Sequence, residues 1–156
     1  MRRKDREVTD AAEIAVMMSR CEILRLAMNT GTVPYILPVN FGMEPDGMTL
    51  YIHGAMTGTK YTWLERDNRV SFQMDCETAL DLDADAHECS MAYESVIGWG
   101  IAEEVTEEAG KRYALKQLMR QYHAEDFPFS DGPLPRTRIF KICVRERTAK
   151  RRKRMM

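Results

Sequence analysis

The sequence predicts a mainly β fold with a few α-helices, arranged as a small closed antiparallel barrel. Short segments in which apolar and polar residues alternate recur along the chain, and turn signals such as Glu-Pro-Asp-Gly at 44–47 separate them. The elements follow the order helix, three strands, helix, two long strands, helix, strand. Six strands in one chain of 156 residues leave few exposed edges if the sheet closes on itself.

The first half of the chain is predicted to contain two helices and three strands. Thr9 or Asp10 can cap the first helix, and Thr57 or Thr59 can cap the second. The predicted bounds are a helix over 10–20, strands over 22–28, 33–41 and 48–53, and a helix reaching residue 65. In the last of these strands, Leu50 and Ile52 should share one face and Tyr51 and His53 the other.

Two prolines, Pro34 and Pro38, fall inside the predicted strand 33–41. Proline has no N–H to donate to a sheet. This strand is therefore predicted to lie at an edge of the sheet, or to be bent at Pro38.

The second half is predicted to contain three strands and one helix. Thr106 begins a capping box that favours the start of this helix. The predicted bounds are strands over 69–75, 91–105 and 137–146, a helix over 106–123, and a long acidic loop over 76–89. Gly98 and Gly100 indicate a bend or a close backbone approach in the second strand.

Charge is distributed unevenly along the chain. The net charge is −1, yet residues 145–154 hold seven basic residues and one acid, which leaves −7 on the remainder. We therefore expect a single domain over 1–146 and a basic tail over 147–156, either solvated or contacting a dimer partner. The acidic body and the lack of aromatic residues in the tail argue against a nucleic-acid partner.

The composition is that of an ordinary globular protein, with 44% hydrophobic and 30% charged residues. The sequence has no apolar run long enough to span a bilayer and no apolar segment after its basic N-terminus. We therefore expect a cytoplasmic protein without a membrane partner. Its four cysteines form no CxxC pair and are predicted to be reduced.

The segment Gly54–Lys60 is a candidate anion site. It combines small residues, threonine hydroxyls, a helix N-terminus and one lysine, although its spacing is not that of a Walker motif. A plain capped helix start is the alternative interpretation. His53, Asn40 and Tyr51 are polar residues nearby that could contact a ligand or have structural roles only.

An acidic run offers a second possible site. Asp81, Asp83 and Asp85 alternate close to His87 and Cys89, but the spacing matches neither a calcium loop nor a zinc motif. We therefore expect no metal site.

Several motifs resemble those of the pyridoxamine 5′-phosphate oxidase-like split barrels, and more narrowly the 5-nitroimidazole resistance (Nim) flavoproteins. The resemblance spans about residues 9–144. It depends on PYILPVNF (34–41), LYIHGA (50–55), GTK (58–60), RVSFQ (69–73) and YESVIGWG (93–100).

This resemblance implies a homodimer of six-stranded antiparallel split β-barrels, with FMN bound at the subunit interface. His53 matches a histidine near the flavin and is the candidate catalytic residue. The implied FMN-binding residues are Pro38, Val39, Asn40, Tyr51, His53, Thr57, Gly58, Thr59, Lys60, Ser95, Val96 and Trp99. Lys60 would pair with the phosphate, whereas Glu94 stands where relatives often have arginine.

The resemblance also implies an FMN-dependent oxidoreductase. It would pass electrons from NAD(P)H to a small organic substrate, with a nitroaromatic as one candidate acceptor and drug resistance as one candidate role. The alternative is a non-catalytic flavin- or haem-binding module.

Overall fold

The computed structural model describes residues 3–83, 87–128 and 130–154. Within these ranges the chain forms eight strands, three α-helices and two short 3-10 helices. The strands are β1 (Glu7–Val8), β2 (Leu24–Met28), β3 (Tyr35–Val39), β4 (Phe41–Met43), β5 (Thr49–Gly54), β6 (Arg69–Asp83), β7 (Glu88–Glu104) and β8 (Arg138–Arg152). The helices are α1 (Ala11–Ser19), α2 (Thr59–Arg66) and α3 (Glu108–Gln121), and the 3-10 helices span Lys4–Arg6 and Leu134–Arg136.

The strands form one curled antiparallel sheet in the order β3-β2-β6-β7-β8-β5-β4, and β1 pairs with β8. The two ends of this order, β3 and β4, are separated in the chain only by Asn40. The barrel therefore closes through one covalent connection, while β3 pairs with β2 and β4 pairs with β5. If β3 and β4 are counted as one strand and the two-residue β1 is set aside, the predicted six-stranded split barrel is confirmed.

Strand β3 lies at one end of the sheet order, as its prolines predicted. Pro38 stands opposite Arg25 of β2 and has no N–H to donate. An end position tolerates this loss because one side of the strand needs no ladder partner.

Two apolar clusters stabilise the barrel. The first fills the interior and includes Met17 and Met18 of α1 together with Leu50 and Ile52 of β5. The second, which contains Tyr51, lies where α3 packs on β5 and β8. The predicted alternation in β5 is therefore confirmed, and the second face is covered at Tyr51 but exposed at His53.

Gly100 allows a close approach between β7 and β8. A Cβ atom there would lie 2.5 Å from the carbonyl oxygen of Cys143. The register of the two strands also shifts between Trp99 and Gly100, as the glycines had indicated.

The predicted loop over 76–89 is wrong. Strands β6 and β7 continue through most of it as a hairpin, in which Leu80 pairs with Met91 and Leu82 with Cys89. Leucines alternate with acids in this segment, which is the two-residue period of a strand. The high content of acidic residues led to the interpretation as a loop. Asp85 lies outside the described residues.

The predicted end of the last strand at residue 146 is also wrong. Strand β8 continues to Arg152, and 147–152 pair with β7. The physical reason is charge complementarity, since Arg151 pairs with Glu94 and Arg152 with Asp81. The boundary expected between domain and tail thus falls inside a strand.

The helix starts were predicted unequally well. Asp10 caps α1, because its carboxylate accepts from the N–H of Glu13 at 2.7 Å. The capping box at Thr106 is wrong, because α3 begins at Glu108 after an N-cap residue, Glu107, that makes no side-chain cap bond. Val105 remains tied to the sheet through its N–H, which donates to Ile139.

Candidate functional site

The closure point of the barrel brings together two of the predicted site segments. Phe41 pairs with Ile52, so Asn40 lies beside His53 at the end of β5. Pro38 and Val39 lead into this point, and Gly54–Lys60 leads away from it into α2. We call the segments 38–40 and 53–61 together the closure corner.

Lys60 is directed back over the closure corner. Its Nζ donates to the carbonyl oxygen of His53 at 3.1 Å and lies 5.1 Å from the centre of the Tyr61 ring. A Cβ atom on Gly54 would lie 2.5 Å from Lys60 Nζ and 2.6 Å from the Tyr61 hydroxyl oxygen. The missing side chain of Gly54 therefore lets an ammonium and a hydroxyl converge.

Tyr61 was not among the predicted site residues. It is only 3% exposed, and its hydroxyl has no hydrogen-bond partner among the described residues. Its ring stacks on Phe140 at 5.7 Å, and the Arg138 guanidinium lies 4.4 Å from the ring centre. An unpaired buried hydroxyl costs about 1–3 kcal/mol, and an oxygen atom of a ligand would remove this cost. Its position directly after Lys60 was the only sequence signal.

Burial changes the proton affinities of the closure corner. The pKa of Lys60 is lowered by burial. His53 is partly exposed and partly enclosed. The burial of its enclosed part lowers the pKa of the imidazole, and the nearby positive charge of Lys60 lowers it further. At neutral pH the imidazole is therefore predominantly neutral and able to accept a proton.

Asn40 is held from the other side by Tyr122, the residue that directly follows α3. Its Nδ2 donates to the hydroxyl of Tyr122 at 3.2 Å, and the backbone N–H of Phe41 donates to the same oxygen at 3.1 Å. That hydroxyl in turn donates to the carbonyl of Glu22 at 2.7 Å. These bonds hold the connection between β3 and β4 in one conformation.

Two predicted site residues have side chains that are buried in the apolar clusters. Tyr51 lies beneath α3, where its hydroxyl donates to Glu44 at 2.7 Å, and burial raises its pKa. Val96 is fully buried in the barrel core. Neither side chain belongs to the closure corner.

Ser95 and Trp99 lie elsewhere, on the outside of β7. Strand β8 separates β7 from β5 in the sheet. The indole N–H of Trp99 donates to Glu146 at 3.3 Å, and the side chain is 42% exposed. The chain alone therefore does not bring these residues to the closure corner.

The outer side of β7 belongs to a larger apolar surface. Ile36, Ala27, Ser71 and Trp99 stand opposite one another across four strands and point to the same side. We define the apolar outer face by its exposed large side chains, which are Ile36, Leu80, Leu82, Met91, Ile97 and Trp99.

A metal site is not found in the described ranges of the chain, where no three His, Cys, Asp or Glu side chains are grouped for one. Asp81 instead accepts from Arg152 at 2.7 Å. Among the described helices, none has the length and apolar character that a membrane crossing requires.

The fold defines a class: a split barrel in which one chain connection, at the closure corner, joins the two ends of the sheet. A family model described as pyridoxamine 5′-phosphate oxidase matches residues 10–151. The chain belongs to this family.

Solved structures agree with this assignment. A candidate 5-nitroimidazole antibiotic resistance protein from Bacteroides thetaiotaomicron is 28% identical in sequence, with a TM-score of 0.81. The alignment covers 92% of this chain and 85% of that protein. The flavocytochrome Anf3 from Azotobacter vinelandii is 19% identical with a TM-score of 0.81, covering 98% and 72%. An FAD and heme binding protein from Mycobacterium smegmatis is 16% identical with a TM-score of 0.77, covering 95% and 74%. A comparison with curated proteins finds no significant match.

The residues of the closure corner fit a flavin phosphate. Lys60 supplies positive charge, the Tyr61 hydroxyl lacks a partner among the described residues, and the absence of a side chain on Gly54 lets the two groups converge. The loop 55–58 is exposed and built of small or polar residues except for Met56.

Proposed function

We propose that this protein binds FMN at the closure corner and acts as an oxidoreductase. It would pass electrons from NAD(P)H to a small organic acceptor, with a nitroaromatic compound as the leading candidate. The observation that carries the proposal is the convergence of Lys60 and the unpartnered Tyr61 hydroxyl over Gly54.

The residues of the closure corner have distinct roles in this proposal. Lys60 and Tyr61 hold the phosphate, and the hydroxyls of Thr57 in the preceding loop and Thr59 at the start of α2 assist them. The backbone of Pro38–Asn40 borders the flavin ring. Bound flavin supplies the electron-transfer chemistry, and the protein supplies binding and orientation.

His53 orients the acceptor and exchanges a proton with it. Its lowered pKa keeps the imidazole neutral at pH 7, so it can accept a proton there and donate through a tautomeric N–H. We assign no nucleophilic side chain to the reaction.

FMN is favoured over FAD because the closure corner offers one compact anion site, and FMN has one phosphate group whereas FAD has two. Some proteins of similar fold are described as FAD-binding. Extraction of the bound flavin and mass measurement separates the two cofactors, and FAD as the only flavin recovered would contradict this choice.

We further propose that the protein is a homodimer that completes this site. Ser95 and Trp99 lie outside the closure corner of their own chain, so a second subunit would have to contribute them. The apolar outer face supports this assembly, because Ile36, Leu80 and Leu82 are 62%, 61% and 65% exposed in the single chain. Sedimentation should give twice the 18.1 kDa chain mass, whereas a monomer at micromolar concentration would contradict the proposal.

The test of flavin binding is a titration of the purified protein with FMN, followed by the visible spectrum and the melting temperature. Lys60→Ala should weaken FMN binding by about ten-fold, since it removes a charge-assisted contact. Lys116→Ala, an exposed lysine on α3, is the matched control and should bind like the parent. A protein that remains colourless and shows no thermal shift with FMN would overturn the proposal.

A non-catalytic flavin- or haem-binding module is the second candidate. It is favoured by the similarity in fold to a flavocytochrome and to an FAD and heme binding protein. Anaerobic NAD(P)H should reduce the flavin, and an added nitroaromatic should reoxidise it, if the protein is an enzyme. A flavin that NAD(P)H does not reduce, or a Soret band on haem titration, would favour the module.

A further inference from the structure

We propose a second anion site, for the pyrophosphate group of a small molecule, at the far end of β8. A cleft of 570 Å³ lies there between the end of β8 and the hairpin of β6 and β7. We call it the basic cleft, and its charged walls are Arg20, Arg151, Arg152, Lys153 and Arg154, facing Glu94 and Glu77. The proposal is independent of flavin binding.

The basic cleft retains positive charge after its internal ion pairs are counted. Its walls hold five cations and two carboxylates. Glu94 accepts from Arg20 at 3.1 Å and from Arg151 at 2.6 Å, so one acid is shared by two arginines. Arg151 and Arg152 also pair outward with Glu13 and Asp81.

Lys153 and Arg154 are the cations that these pairs leave available. Both are exposed, and neither forms an ion pair with an acid among the described residues. The preceding arginines are fixed by their partners, which compensate their charge. An arriving dianion can thus bind two uncommitted cations without breaking a buried pair.

The basic cleft is distinct from the closure corner within one chain. Gly54 pairs with Arg138 at the start of β8, whereas the cleft begins at Arg151 near its end. At about 3.3 Å per residue these points lie roughly 40 Å apart along the strand. One small ligand cannot occupy both.

The dimensions of the basic cleft favour more than a single phosphate. Its volume is in the range of small-molecule sites, and Thr78 adds a hydroxyl while Tyr93 adds an aromatic ring. A pyrophosphate group, free or within a nucleoside diphosphate, has enough negative charge to engage both Lys153 and Arg154. A nucleic acid is disfavoured because the chain outside 145–154 has a net charge of −7.

The experiment is calorimetric titration of the full chain with inorganic pyrophosphate and, separately, with ADP. The double variant Lys153→Gln with Arg154→Gln should weaken both by about ten-fold or more. Lys116→Gln with Arg136→Gln removes the same charge from exposed positions elsewhere and should bind like the parent. Equal affinities for the two ligands identify the pyrophosphate group alone, and tighter ADP binding adds a contact from the nucleoside.

Three outcomes would overturn the proposal: no binding to the parent protein, equal weakening by the control variant, or a duplex DNA that binds more tightly than pyrophosphate. Lys60→Ala separates this proposal from flavin binding. It should leave pyrophosphate binding intact, and the Lys153 and Arg154 variant should leave FMN binding intact. Loss of pyrophosphate binding in Lys60→Ala would assign the anion to the closure corner and overturn the second site.

Discussion

The closure corner and the ion cluster around Glu94 both bury polar groups, but they differ in whether those groups have hydrogen-bond partners. At the corner, the Tyr61 hydroxyl is buried without a partner in the described chain, and Lys60 donates to a backbone carbonyl oxygen instead of a carboxylate. At the cluster, the buried Glu94 carboxylate accepts from two arginines.

The difference separates a structural role from a binding role. A buried group whose bonds are satisfied within the chain stabilises the fold, and its removal leaves other groups unpaired. A buried group without a partner adds nothing to the stability of the empty protein. It is therefore the better indicator of where a ligand binds.

The largest expected effect is at Glu94. Glu94→Gln should lower the free energy of unfolding by about 2 kcal/mol, between the values for exposed and fully buried pairs, because it weakens contacts with both Arg20 and Arg151. The measurement is urea denaturation at pH 7. Glu88→Gln, at an exposed position that forms no ion pair among the described residues, should unfold like the parent. Equal stability of the two variants would remove the contrast between cluster and corner.

Glu94 should also make the free energy of unfolding depend on pH. Burial raises the pKa of its carboxyl, but hydrogen bonds from Arg20 and Arg151 outweigh this effect, and the net pKa is lowered. A carboxyl with a lowered pKa stabilises the fold above its ordinary pKa and loses this contribution as the pH falls through the lowered value. The stability difference between parent and Glu94→Gln should therefore shrink under acid conditions, and a difference that grows there would contradict the assignment.

A smaller effect of opposite sign is expected at Tyr61. Tyr61→Phe removes a hydroxyl with no partner in the described chain, so the free energy of unfolding should stay equal or rise by up to about 1 kcal/mol. FMN affinity should nevertheless fall about ten-fold. Tyr122→Phe is the matched control, because its hydroxyl bonds to Asn40, Phe41 and Glu22, and its loss should destabilise the protein. Destabilisation by Tyr61→Phe would show that its hydroxyl is satisfied in the empty protein.

The smallest effect is expected at His53. Its lowered pKa means that the folded state disfavours the protonated imidazole. Stability should therefore be unaffected above the ordinary histidine pKa and should decline slightly as the pH falls from there to the lowered value. His53→Gln should remove part of this decline, which thermal melts at a series of pH values can measure. His123→Gln, at another exposed histidine, should keep the full decline of the parent, and an equal reduction of the decline in both variants would contradict the assignment to His53.

Much of the fold could be predicted from local patterns. The alternation in β5, the end position of the proline-containing β3 and the Asp10 cap all depend on residues close together in sequence. The motifs containing Asn40, His53 and Lys60 likewise identified the segments that meet at the closure corner. Periodicity, turn chemistry and capping are short-range, so they can be read without knowledge of the fold.

The errors occurred where distant residues decide the structure. The segment 76–83 has the charge of a loop but the pairing of a strand, because β7 supplies its hydrogen-bond partners. The basic residues 147–152 have the composition of a tail, but Glu94 and Asp81 hold them in β8. Charge counted along the chain could not reveal which acids these arginines would meet.

The sequence alone determined the alternation in β5, the end position of β3, the Asp10 cap and the segments of the closure corner, because hydrophobic period and backbone chemistry act over a few residues. Only the tertiary structure decided that the Tyr61 hydroxyl would be buried over Gly54 without a partner in the described chain, and that Glu94 would be shared by two arginines. Burial and ion pairing depend on which elements the closed sheet brings together, and that is a property of the whole fold.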